Sequence, residues 1–305
     1  MKQTNRILFI LTVISVIILI SGVLPSLQAT ANKRDYDGCD TPEARRESLK
    51  NTIETMQAEI RTKGYTFSVD INPAMQYSIE ELCNFKEELK PIDLPEDPED
   101  VSMIMAGTTL PAAYTAQYTS IKNQGSCGGC WAFSTAGMFE SVLLKKGIST
   151  DLSEQWLISC NTNGWGCNGG NFANSYYLNP GAVLESCFRY KAVDAPCKTG
   201  CAYVYKASSS HSASSVDAMK AAIYNYGAVS CAVTVTTYFQ AYSGGIFNYN
   251  TNSPCNHAVV LVGWDDSKNA WRMKNSWGKS WGESGLMWIV YGVSNIGTGG
   301  NYLVY

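Results

Sequence analysis

The run Gln124-Gly125-Ser126-Cys127-Gly128-Gly129-Cys130-Trp131-Ala132-Phe133 decides how this chain is read. Its second cysteine opens a stretch, Cys130 to Lys146, in which Ala132, Ala136, Phe139 and Leu143 recur at helical spacing. Gly147 stops that stretch, and Lys145 and Lys146 suit the negative end of a helix dipole. A Cys-x-x-Cys pair can be a redox dithiol or half of a zinc site. Zinc needs a second ligand pair, and Cys197–Cys201 has a different spacing. In thioredoxin-like dithiols tryptophan precedes the pair, whereas Trp131 follows it. The third use is nucleophilic. A cysteine in the first helical turn meets the positive dipole end and unpaired N–H groups, which stabilise a thiolate. That reading is preferred for Cys130.

A nucleophilic thiolate wants a histidine, and the chain has two, His211 and His257. The Ser-rich tract 207–215 reads as a connector, with His211 solvated in it. His257 begins an apolar strand to Trp264, a turn-forming run follows at 265–269, and a second strand spans Ala270–Asn275. A hairpin centred on residue 266 sets His257 opposite Asn275, with their side chains on one face. Asn275 can then fix the orientation of the ring. A one-residue bulge would flip that face.

With these residues in place, Gln124–Phe133, Asn256-His257-Ala258-Val259 and Lys274-Asn275-Ser276-Trp277-Gly278 resemble the signature blocks of papain-like cysteine peptidases. Leu152–Cys160 and Cys167-Asn168-Gly169-Gly170 match as well. The resemblance spans about residues 110–305. It implies an α+β, two-domain fold: a helical left domain, a β-barrel-like right domain and an active-site cleft between them. It further implies a Cys130 thiolate held against a protonated His257, with Asn275 steadying the ring and Trp277 shielding that bond. Gln124 would supply an oxyanion-hole donor beside the Cys130 N–H. Gly169 and Gly170 would bind substrate backbone, and Phe172 and Ala232 would line a side-chain pocket. The resemblance implies the disulfides Cys127–Cys167 and Cys160–Cys197, and elimination then leaves Cys187–Cys201 and Cys231–Cys255. No metal or other cofactor is called for. The chain departs from the family pattern at Gly129, where serine is more usual, and in a propeptide without the long helical signature.

Outward from this core, composition divides the chain. Residues 1–31 carry a formal charge of +2, residues 32–109 carry −8, and residues 110–305 carry +3. No segment has the dense basic stripe that nucleic-acid binding needs. Lys2 and Arg6, an apolar run Ile7–Leu24 and Ala29-Thr30-Ala31 read as an export signal, 1–31, the alternative being a retained anchor. Eleven cysteines suit an oxidising compartment. Residues 32–109 read as an acidic propeptide with helices at Thr41–Lys63 and Ser78–Leu89, the second opened by a Ser78–Glu81 capping box. Pro91–Asp100 reads as an exposed connector. The catalytic part, 110–305, is helical to about 210 and β-rich after it.

The expectation is therefore a secreted or otherwise extracytoplasmic cysteine endopeptidase, or a resident of an acidic lysosome-like compartment in a eukaryote. It would be a monomeric zymogen, inhibited by its own propeptide, acting on protein or peptide substrates, touching membrane only through the signal. Opposite charges would dock the propeptide, and protonation of its carboxylates near pH ~4 would release it. Two alternatives stay open: a catalytically silent papain-like binding protein, and a thiol–disulfide oxidoreductase using Cys127 and Cys130.

Overall fold

The computed structural model describes residues 41–86 and 109–305. The export signal, Cys39 and the Pro91–Asp100 connector lie outside the described residues. Helix α1 (Pro42–Lys63) starts where the Thr41 side chain accepts the Ala44 N–H, and it ends at Gly64 in the left-handed conformation. Ile53, Met56 and Ile60 are its buried stripe. Ser78 and Glu81 form the expected capping box, but the helix they open, α2 (Ile79–Leu82), is one turn long and does not reach Leu89. After Leu82 the backbone finds partners elsewhere: the Phe85 N–H donates to Asn256 O (3.0 Å) and the Lys86 N–H to Gly170 O (2.9 Å). A short helix is marginal alone, so these long-range bonds win.

The remaining elements are β1 (Phe67–Val69), β2 (Ala113–Thr115), α3 (Cys130–Lys145), α4 (Glu154–Cys160), α5 (Asn174–Leu178), β3 (Ser209–Ser212), α6 (Val216–Tyr226), β4 (Val229–Val233), α7 (Thr237–Gln240), β5 (Tyr242–Phe247), β6 (His257–Asp265), β7 (Ala270–Lys274), β8 (Leu286–Val290) and β9 (Thr298–Val304). The strands run β1-β5-β8-β7-β6-β4-β9-β3, with β2 added beside β6. The two end strands do not meet, so the barrel-like half is an open sheet. The tract expected to be a connector supplies β3, paired with β9. His211 is accordingly half-buried, stacked on Tyr302 at 5.3 Å and hydrogen-bonded to Ser209 at 2.7 Å, rather than solvated. Strand pairing satisfies the serine backbone, which outweighs the residues' weak β preference.

The apolar side chains form two cores. One gathers Ile53, Met56, Phe67, Phe239, Trp271 and Trp281, so the N-terminal segment shares it with the sheet. The other surrounds α3 and contains Trp131, Phe139, Leu157 and Tyr177. Disulfides join Cys127–Cys167, Cys160–Cys197 and Cys187–Cys201. The expected Cys231–Cys255 bridge does not form, and both residues are buried thiols. The two thiols lie near enough for a charge on Cys255 to be felt at Cys231, yet no bridge joins them.

Helix α3 is buried from Cys130 to Leu143. It is fastened to the sheet by Ser134 Oγ donating to Val259 O (2.6 Å) and Ser230 Oγ donating to Ser134 O (2.9 Å). At its middle, Glu140 and Glu154 share Lys122, at 3.1 and 2.6 Å. Burial alone would push the Lys122 ammonium down, but Glu154, Glu140 and the more exposed Asp151, also at 2.6 Å, overcome it and keep the group charged. A Lys122→Met chain would leave both carboxylates buried without their cation. We expect a loss of roughly 3–5 kcal/mol in denaturant unfolding, and a change under 1 kcal/mol would refute the assignment.

Candidate active site

Gly129 precedes α3 and offers no side-chain cap, so the first N–H groups of the helix are open to a ligand. Backbone N–H groups of Ala258, Asn84, Trp131 and Cys130 itself favour the thiolate of the Cys130 side chain, against its burial. Ala258 follows His257 on β6, so the two walls meet at the sulfur. His257 Nε2 lies 2.9 Å from Asn275 Oδ1, and the Trp277 ring leans over the imidazole at 4.8 Å. Nδ1 of His257 is buried without a hydrogen-bond partner.

The hairpin that joins His257 to Asn275 is not the one expected. Asp265 pairs with Ala270 and Gly263 with Arg272, a register three residues from a centre at 266. An odd shift would turn Asn275 to the other face. The ladder then slips by one between Leu261 and Gly263, giving Val260–Lys274. The net shift is two, which preserves the face, and Asn275 becomes a diagonal neighbour of His257. Continued by three residues, this register sets Trp277 opposite His257, which accounts for the ring contact. The bulge at Val262 therefore aims the site.

Gln124 is fully buried. Its Oε1 accepts from Ser276 Oγ (2.6 Å), which turns the amide nitrogen toward two carbonyls, Leu82 O and Cys127 O, both at 2.9 Å. Tyr190 Oη donates to the Gln124 carbonyl (2.7 Å). Sequence reasoning missed Ser276 and Tyr190. Ser276 could have been found beside Asn275, whereas nothing local marks Tyr190, which lies 66 residues from Gln124.

The cleft is filled by the chain's own residues 82–86. Gly170 donates to Asn84 O (3.2 Å) and accepts from the Lys86 N–H, and Phe85 pairs with Gly170 in parallel. The Phe85 ring lies 4.8 Å from Phe172, in the core that also holds Ala232. A Cβ on Gly170 would fall 2.8 Å from the Trp131 ring, so a side chain has no room there. Leu82 O thus occupies the Gln124 donor site, but the amine its hydrolysis would release, the Cys83 N–H, is committed to Ile79 O (2.7 Å). The carbonyl is held without an acid at its leaving group.

This cover also sets the charges. Burial pushes the His257 imidazole down to about 4, against the Asn275 bond. Burial likewise pushes the Cys130 thiol up, against its N–H donors. The implied thiolate–imidazolium pair is disfavoured while the segment lies in place, because neither ion is solvated. Among the described residues no group of three His, Cys, Asp or Glu is disposed to hold a metal, and no helix is long and apolar enough to cross a membrane.

Residues 111–303 match the family model described as papain family cysteine protease. The chain is 33% identical to human cathepsin O over 68% of its own length and 69% of that protein. It is 37% identical to gamete and mating-type specific protein A of Dictyostelium discoideum, over 62% of this chain and 44% of that one. Digestive procathepsin L 3 of Tenebrio molitor superposes with a TM-score of 0.73 at 28% identity, covering 87% of this chain and 94% of that structure.

Proposed function

Since this chain belongs to the papain family of cysteine proteases, we propose that it is a cysteine endopeptidase made as a zymogen, with residues 32–109 as its removable inhibitor. One observation carries this reading: Asn275 orients His257, at 2.9 Å, on the strand whose next residue, Ala258, favours the Cys130 thiolate through its N–H. Once the cleft is cleared, Cys130 transfers its proton to His257 and attacks the scissile carbonyl. The Gln124 amide and the Cys130 N–H hold the developing oxyanion, a donor pair in which one member is typically worth ~3–4 kcal/mol. His257 then protonates the leaving amine, and water releases the acyl group. Gly169 and Gly170 bind the substrate backbone, and Phe172 and Ala232 receive an apolar side chain, the place Phe85 takes in the zymogen.

The chemistry asks for no cofactor. Export by residues 1–31, a secreted or lysosome-like destination and action as a monomer belong to the same reading, supported by the three disulfides. Treatment of processed protein with a peptidyl epoxide tests it: the label should map to Cys130 and peptide cleavage should stop. No label and no cleavage would refute the proposal. Asn275→Ala should lower kcat about 10²-fold with little change in KM, because the imidazole loses its orientation. An unchanged kcat would remove Asn275 from the mechanism.

A further inference from the structure

The run 84–86 shows how the cleft grips a peptide backbone, and one of its grips comes from a side chain to which the proposed chemistry gives no role. Gly170 supplies two: its N–H donates to Asn84 O (3.2 Å), and its carbonyl accepts the Lys86 N–H (2.9 Å). Asn171 supplies another, its Nδ2 donating to Lys86 O at 3.1 Å. A Cβ on Gly169 would run into Asn84 O, so the run lies tight against this wall. Asn171 is only 2% exposed. Its Oδ1 accepts the Phe172 N–H at 2.6 Å, which turns the amide so that the nitrogen faces the run. What that nitrogen reads is a backbone carbonyl, a group every residue of a peptide carries.

We infer that Asn171 is a substrate-binding residue of the cleared cleft, its amide donating to a backbone carbonyl beyond the residue that lies against Phe172. The inference rests on the reading of this cleft as a peptidase site. When the run departs, Gly170 and Asn171 give up the same stretch of backbone together, and an incoming peptide meets both. The Asn171 amide is pinned at its oxygen end, so its donor is already aimed and little side-chain freedom is lost on binding. The contact adds affinity without selecting sequence. What it selects is length, because only a peptide that reaches past the Phe172 pocket gains the bond. Cleavage inside a chain is thereby favoured over cleavage of short peptides. The competing view treats Asn171 as a turn residue whose side chain serves only its neighbour's N–H.

Asn171→Asp separates the two views, since it keeps an oxygen for the Phe172 N–H and loses the donor. Wild type and variant, freed of residues 1–109 by the same added protease, would be assayed on acetylated fluorogenic peptides. All would carry phenylalanine before the cleaved residue and grow by one residue at a time. In the wild type we expect one lengthening step to raise kcat/KM by about 3- to 10-fold, the worth of one hydrogen bond, with the change carried by KM. In Asn171→Asp that step should shrink below about twofold. A step of equal size in both chains would overturn the inference, and so would a wild type with no step. A second measurement needs no variant: replacing the one carbonyl added at that step by a methylene should cost the wild type the same factor, and an unchanged KM would count against Asn171. A wild type that cleaves no member of the series defeats the peptidase reading instead.

Discussion

A Cys130→Ser chain is expected to fold, keep its three disulfides and lose peptide hydrolysis by about 10⁶-fold in kcat, the scale seen when a nucleophile is removed from a coupled catalytic set. The hydroxyl fits among the Ala258, Asn84 and Trp131 N–H groups that serve the sulfur. What it lacks is acidity, since those donors lower a thiol far enough to ionise beside an imidazole but leave an alcohol protonated. Wild type and variant would be freed of residues 1–109 by the same added protease and compared on one peptide substrate, with thermal melting to check the fold. Activity within tenfold of wild type would exclude Cys130 as nucleophile.

Lowering the pH from 6.5 to 4 is expected to weaken the closed zymogen by about 10²-fold. His257 titrates at about 4 in the covered cleft against an ordinary 6.5, because burial penalises the imidazolium. Between those values the open form binds a proton that the closed form refuses. The closed form is therefore fully favoured above pH 6.5 and loses ground steadily toward 4, on the order of 3 kcal/mol in all. Glu59 adds a lower window. Hydrogen bonds from Lys63, then from Tyr238 of the sheet domain, hold its carboxyl below 4.5, so the Tyr238 contact persists until stronger acid. The Cys130→Ser chain, which cannot cleave itself, isolates the effect: protection of 82–86 in hydrogen exchange should fall through this window. A flat profile would refute the role of His257.

His257 adds an acid trigger beside the propeptide carboxylates. Charge arithmetic pointed to the propeptide carboxylates, yet the described part of the segment is seated by Ile53, Met56, Ile60 and Phe67 in an apolar core. Net charge reports on steering and says little about which surfaces pack. The helix at Cys130, its stop at Gly147, the Ser78 capping box and the two strands around Asp266 were all legible, because each rests on spacing or on one turn residue. The His257–Asn275 contact was reached through a wrong register, and it survived because turn and bulge errors cancelled to an even shift. The Cys231–Cys255 pairing failed because it came from elimination alone, and counting cysteines says nothing of how two thiols are oriented. The break of α2 after Leu82 was hidden because its cause, the carbonyls of Asn256 and Gly170, lies far along the chain.

Strand β1 has a consequence for the mature enzyme. Phe67–Val69 pair with Tyr242–Gly245, and the Ile246 N–H donates to Thr66 O, so the segment finishes the sheet at its outer margin. When the segment departs, that margin of β5 turns its backbone donors and acceptors to water, with Gly244 and Gly245 presenting no side chain to guard them. Such a margin is a template for any extended chain. The processed enzyme thus gains an adhesive border, which the departed leader peptide, a loosely folded protein or a second enzyme molecule could each cover.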